Sequence, residues 1–166
     1  MGYKLNICLI PPNAYGKNMR ATMGPSQWRS LSKFVREPGV CAGCGRSFPP
    51  AQLEAHEVWK FKKHSLRLRR LVPLCKDCHR TAHAGRAEAC GHLPDAAAHY
   101  ARVRKTSKRR FYAEYEAAKK RRNALSLAGP FRLKTSPEEA WKVARKDRVS
   151  LEKKAAKKAA KKDKKE

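Results

Sequence analysis

The alternation of apolar and polar positions divides the chain into short elements. Residues 5 to 10 (LNICLI) are apolar and β-branched enough for a short strand, which Pro11-Pro12 ends. Residues 13 to 24 are polar, contain Gly16 and Gly24, and read as a loop. Pro25-Ser26 then opens a helix in which Trp28, Leu31 and Val35 recur at i, i+3 and i+7 with Phe34 beside them, a stripe that faces a core; Pro38-Gly39 closes it. Residues 53 to 59 (LEAHEVW) and 66 to 74 (LRLRRLVPL) both read as strands, separated by a basic loop over 60 to 65. In the second, Leu66 and Leu68 alternate with Arg67 and Arg69, one face for burial and one for solvent or phosphate. A helix follows from Cys78 despite Gly85, and residues 95 to 104 and 107 to 122 also pattern as helices. In the last of these Phe111, Tyr112, Tyr115 and Ala118 lie on one side, with Lys and Arg on the other. Ser136-Pro137-Glu138-Glu139 is a helix start: a Ser cap, Pro at the first position and Glu three residues after the cap. The final sixteen residues, LEKKAAKKAAKKDKKE, have almost nothing to bury. They read as a disordered basic tail that turns helical when phosphates neutralise it.

Charge changes this picture more than any element does. The 166 residues carry 40 Lys and Arg against 14 Asp and Glu, a formal +26. Such an excess repels itself unless a polyanion binds, and nucleic acid is the first partner it implies. No apolar run approaches the roughly 18 residues of a membrane span, so a membrane partner is not expected and the chain is placed in a cytosolic or nuclear compartment. The charge is uneven. Residues 1 to 40 hold six basic and one acidic residue (+5), residues 41 to 90 hold ten and four (+6), and residues 91 to 166 hold 24 and nine (+15).

Six cysteines in a reducing compartment point to metal rather than disulfides. Four of them form two CxxC motifs, Cys41/Cys44 and Cys75/Cys78. Two intervening residues let one tight turn present both sulfurs to one ion, and two such turns complete the tetrahedral set of a structural zinc. Thirty residues separate Cys44 from Cys75, room for a two-stranded excursion. Cys8 and Cys90 stand alone and read as small apolar side chains. His79 and His83 are four apart, so a helix starting near Cys78 sets both imidazoles on one face, one turn apart. With His56 from the first strand they could hold a second, separate ion. The alternative is that His79 or His83 replaces a cysteine at the zinc and His56 is a core residue. His64, His92 and His99 have no such company and read as surface or loop residues.

The run CxxC, then LEAHEVW, then LVPLCKDCHRTAH, over residues 41 to 85, resembles the HNH endonucleases, whose ββα-metal module is supported in many members by a zinc on four cysteines. LIPPNAYGKNMR and the Trp28 helix are also similar to the N-terminal region of a bacterial subgroup. The resemblance implies an α+β fold: a small zinc-supported ββα-metal, treble-clef-like module over 41 to 90. A strand and helix over 1 to 40 would pack on it, with a basic helical extension over 91 to 135 and a C-terminal helix and Lys-rich tail over 136 to 166. It implies a structural zinc on Cys41, Cys44, Cys75 and Cys78, and a catalytic divalent ion (Mg2+, Mn2+, Ni2+ or Zn2+) on His56, His79 and His83. The family's His-His or Asp-His pair aligns in two ways. With His56 in the ligand slot, Glu57 stands where the general base belongs; with His56 as the base, Ala55 replaces a ligand. Where the family has an Asn that orders the loop between strands, this chain has Arg70. The activity implied is hydrolysis of phosphodiester bonds, in DNA ahead of RNA, with Lys60, Lys62, Lys63, Arg67, Arg69 and Arg70 gripping flanking phosphates. Against it stand a zinc protein of the same fold that binds nucleic acid without cutting, and a basic component of a ribonucleoprotein.

Overall fold

The computed structural model describes residues 3 to 162 and is a mixed α+β structure around a three-stranded sheet. β1 (Leu53–Lys62) and β2 (Ser65–Cys75) form an antiparallel hairpin that pairs His56 with Val72 and Glu54 with Leu74. Both strands run further than the hydrophobic pattern indicates, because the basic stretch 60 to 65 continues the ladder to a two-residue turn. Lys63 takes the left-handed conformation there (φ 50°). A register irregularity between Val58 and Trp59 bends β1. β3 (Arg132–Leu133) pairs in parallel with the start of β2. At two residues it is too short to leave a periodic signal. The order β1-β2-β3 puts β2 in the centre and leaves β1 at an edge.

Among the described residues six α-helices accompany the sheet: α1 (Met19–Arg36), α2 (Lys76–Ala82), α3 (Ala84–Ala89), α4 (Leu93–Arg104), α5 (Lys108–Ser126) and α6 (Pro137–Lys162). Val72 and Leu74 of β2 join Tyr100, Phe111, Tyr115 and the buried cysteines in one core. Leu68 and Leu71 join Met19, Met23, Leu31 and Val35 of α1 and Ala140 and Ala144 of α6 in another. Each fully buried Leu contributes about 1.5–3 kcal/mol relative to exposure, so sandwiching β2 between the two cores is a main source of stability. The first core draws residues from all four stretches marked out by the sequence, from Tyr3 to Leu151.

Several expectations change. Residues 5 to 10 are not a strand. Leu5 and Ile7 are buried, but the backbone of this segment bonds to helices rather than to a strand: Cys8 N–H donates to Ala82 O (2.8 Å) and Arg104 donates to Leu5 O (2.9 Å). Residues 13 to 24 are not all loop, since Asn18 caps a helical turn beginning at Met19 by accepting from Ala21 N–H (2.8 Å). Gly24 (φ 76°, ψ 169°) then kinks α1 at the place where Pro25 restarts it. The Lys-rich segment is helical through Lys162 rather than disordered, continuing α6; residues 163 to 166 lie outside the described residues. Alanine and lysine favour the helix, and Leu151 anchors it in the first core.

The start of α6 forms as its sequence indicates. Ser136 N–H donates to Glu139 Oε2 (2.8 Å) and Glu139 N–H donates to Ser136 Oγ (3.3 Å), a reciprocal capping box. Three further contacts tie the helix and its entry to β2. Leu68 N–H donates to Thr135 Oγ1 (2.8 Å), and Leu71 N–H donates to Asp147 Oδ2 (2.9 Å) while Asp147 Oδ1 pairs with Arg70 (3.1 Å). No described helix is long and apolar enough to cross a membrane.

Candidate metal centres

Cys41 and Cys44 sit in the turn before β1, and Cys75 and Cys78 at the entry and first turn of α2; their sulfurs all lie within 4.8 Å of one another. Cys44 Sγ and Cys75 Sγ are 3.9 Å apart, against about 3.8 Å for the edge of a tetrahedron with zinc–sulfur bonds of about 2.3 Å. The turn is built for close approach. Gly45 has φ 69° and donates to Cys41 O (2.8 Å), and a Cβ on Gly43 would lie 2.9 Å from Cys78 Sγ. Cys75 N–H donates to Cys41 Sγ (3.3 Å), and the neighbouring thiols, Cys41 first, hold Cys75 far below the ordinary thiol range. The set fits a structural metal such as zinc.

His99 is not a surface residue. It is buried, and its Nε2 lies 3.1 Å from Cys78 Sγ. Arg102 lies 3.1 Å from Nδ1, and since a guanidinium can only donate, the proton of the neutral ring belongs on Nε2, directed at the sulfur. α4 is thus coupled to the cysteine cluster. Cys90, expected to pack as an apolar side chain, is exposed; Cys8 is half-buried, and burial pushes its thiol up to about 12.

The second cluster is built from β1 and α2. His56 points from the strand toward the helix, where His79 and His83 stand one turn apart; the ring centroids are 5.3 Å (His56–His79), 4.8 Å (His56–His83) and 4.6 Å (His79–His83). One ring nitrogen from each lies within 4.8 Å of the others. His56 is 1% exposed, and neither of its ring nitrogens has a hydrogen-bond partner. Burying two unpaired polar atoms costs about 1–3 kcal/mol each by mutational measure, so a ligand for them is the simplest reason the arrangement persists. Burial also lowers the pKa of all three, His83 to about 4, so they are neutral and able to donate lone pairs at pH 7. His79 Nδ1 pairs with Glu54 Oε2 at 2.8 Å, leaving Nε2 to face the cluster. Glu54 was missed in the sequence; two residues before His56, it shares that face of β1 by strand alternation.

The imidazoles open into a cavity of about 300 Å³, whose wall also includes Tyr15, Lys17, Asn18 and Glu57. Glu57 turns toward α1, as alternation requires, and its Oε1 accepts from Met19 N–H (2.8 Å). It still lines the cavity. Burial raises its carboxyl to about 7 against the opposing effect of the Met19 bond.

The expected phosphate contacts separate into groups. Lys60, Lys62, Lys63, Arg67 and Arg69 are exposed, but Lys62 and Lys63 lie near the hairpin tip, roughly 20 Å along the strand from His56 at about 3.3 Å per residue. Arg70 has another partner: it is half-buried and paired with Asp147, because β2 turns it toward α6. Comparison with family models, with curated proteins and with solved structures finds no match.

Proposed function

We propose that this protein is a metal-dependent endonuclease of HNH type that hydrolyses phosphodiester bonds in nucleic acid, DNA ahead of RNA. One observation carries the reading: three neutral imidazoles converge on an open cavity, and the most deeply buried has both ring nitrogens unpartnered. The strand–strand–helix order that supplies them, with the four-cysteine cluster beside it, supports the resemblance drawn from the motifs. The net charge of +26 supports a polyanionic substrate.

His56, His79 and His83 would hold the divalent ion, and Glu54 would keep His79 in the tautomer that ligation needs. Such an ion supplies charge neutralisation at the attacked phosphate and at the leaving oxygen. Glu57 is assigned as the general base. A carboxylate with a pKa near 7 is ionised in a large fraction of molecules at neutral pH, and accepts a proton far more readily than one of ordinary pKa. Its Oε1 is held by Met19 N–H, and its Oε2 makes no hydrogen bond among the described residues. With His56 counted among the ligands, Glu57 is the side chain of the cavity suited to take the proton.

The bond from Met19 N–H to Glu57 also favours a second reading, a protein of the same fold in which Glu57 only caps α1 and nucleic acid is bound without cleavage. Supercoiled plasmid incubated with the protein and Mg2+, Mn2+ or Ni2+ separates the two. Nicking that disappears in both His83→Ala and Glu57→Gln supports the nuclease; binding without nicking under every metal supports the second reading.

A further inference from the structure

His83 borders a second cavity of about 460 Å³, large enough for a nucleotide. Its wall combines Tyr15 from the N-terminal loop, Arg86 of α3, and Lys119 and Arg122 of α5. Tyr15 and His83 line both cavities, so the two adjoin at the tyrosine. Tyr15 is 60% exposed, and its ring is absent from all three buried clusters. It is nonetheless held in place: Arg122 donates to the Tyr15 hydroxyl (3.3 Å) and, through Nε, to Ile10 O (3.3 Å). The one carboxylate in the wall, Glu88, accepts from Tyr115 Oη (2.8 Å) and faces Lys119 (4.0 Å), which also pairs with Glu116 (2.6 Å). Glu88 and Glu116 offset Lys119, so Arg86 and Arg122 are the two cations of the wall without a carboxylate partner among the described residues, and they make the cavity attractive to phosphate.

Resting on the nuclease reading, we propose that this cavity is a nucleotide subsite. The base beside the scissile phosphate leaves the stack of its neighbours and stacks on the Tyr15 ring, Arg86 and Arg122 hold its phosphate, and an unpaired strand is therefore bound in preference to a duplex. Base–aromatic stacking tolerates any sequence because every base has a π-face, and a base within a duplex has both faces covered already. The lysines at the hairpin tip are too distant to contact the same nucleotide.

The test is binding, without added divalent metal, of the zinc-loaded full chain to a single-stranded oligonucleotide carrying 2-aminopurine and to its duplex. The expected result is quenched 2-aminopurine fluorescence and at least about tenfold tighter binding of the single strand. Tyr15→Ala should abolish the quench and weaken single-strand binding by about fivefold or more, leaving duplex binding unchanged, while Tyr15→Phe, which keeps the ring but loses the bond from Arg122, retains the quench and loses less affinity than Tyr15→Ala. Equal affinity for both oligonucleotides, or a quench that survives Tyr15→Ala, overturns the proposal. Failure of the two readings is distinguishable. Tyr15-dependent quenching with no cleavage under any metal leaves the subsite and removes the nuclease; metal-dependent nicking with no effect of Tyr15→Ala on binding does the reverse.

Discussion

Glu54 Oε2 lies 2.8 Å from His79 Nδ1, joining an otherwise exposed carboxylate of β1 to an imidazole of the three-histidine cluster. A carboxylate in that position fixes the ring's tautomer and raises the basicity of its other nitrogen. Glu54→Ala is expected to weaken divalent-metal binding at the histidine cluster by about 10- to 100-fold without removing zinc from the cysteines. Calorimetric titration with Ni2+ or Mn2+, together with metal analysis of the purified variant, checks both halves.

His99 is expected to stabilise the cysteine cluster through its contact with Cys78 Sγ. His99→Ala removes a buried hydrogen bond and leaves a space beside α4, a loss of about 1–3 kcal/mol. Zinc should also leave the variant faster when a chromophoric chelator is added. A lowered denaturation midpoint with unchanged zinc release would assign His99 to packing alone.

Asp147 should matter more to stability than its partner Arg70. Asp147→Ala strands the buried Leu71 N–H and removes one partner of Arg70, costing about 1–3 kcal/mol, whereas Arg70→Ala leaves the bond from Leu71 to Asp147 in place and costs less. Urea unfolding of the two variants gives the order directly.

The pH dependence of the metal-free histidine cluster follows from the sign of its shifts. Burial lowers the folded-state pKa of His56, His79 and His83, the last to about 4, well below an ordinary imidazole at about 6.5. Well above pH 6.5 both folded and unfolded chains hold the rings neutral, so stability there is flat with respect to these groups. As pH falls from 6.5 toward 4 the unfolded chain takes up protons that the folded chain resists, and stability declines. After mild chelation that spares the cysteine zinc, wild type should lose stability across this window more steeply than His83→Asn.

The motif-bearing half of the candidate centres was legible because its constraints are local. CxxC spacing is fixed by one turn and the His79/His83 spacing by one turn of helix, so both pairs can be read without knowing the fold. Glu54, His99 and Tyr15 could not be read this way. Each acts on a residue of another element or at a wall shared with one: Glu54 across to α2, His99 from α4 to Cys78, Tyr15 from the loop to Arg122 on α5. The ion pair of Arg70 could not be read for the same reason, since its partner Asp147 is 77 residues away.

By itself the sequence determined the hairpin, the helices over 95 to 104 and 107 to 122, the capping box at Ser136, and the pairing of Cys41 with Cys44, Cys75 with Cys78 and His79 with His83, because periodicity, capping and knuckle spacing act over a few residues. Tertiary structure decided the rest. The apolar run 5 to 10 had strand composition but found helices rather than a sheet edge beside it, and the Lys-rich end continued a helix whose Leu151 had a core to enter. It also set the surroundings of Glu57, whose carboxyl rises to about 7 because the fold buries it, against the opposing bond from Met19 N–H.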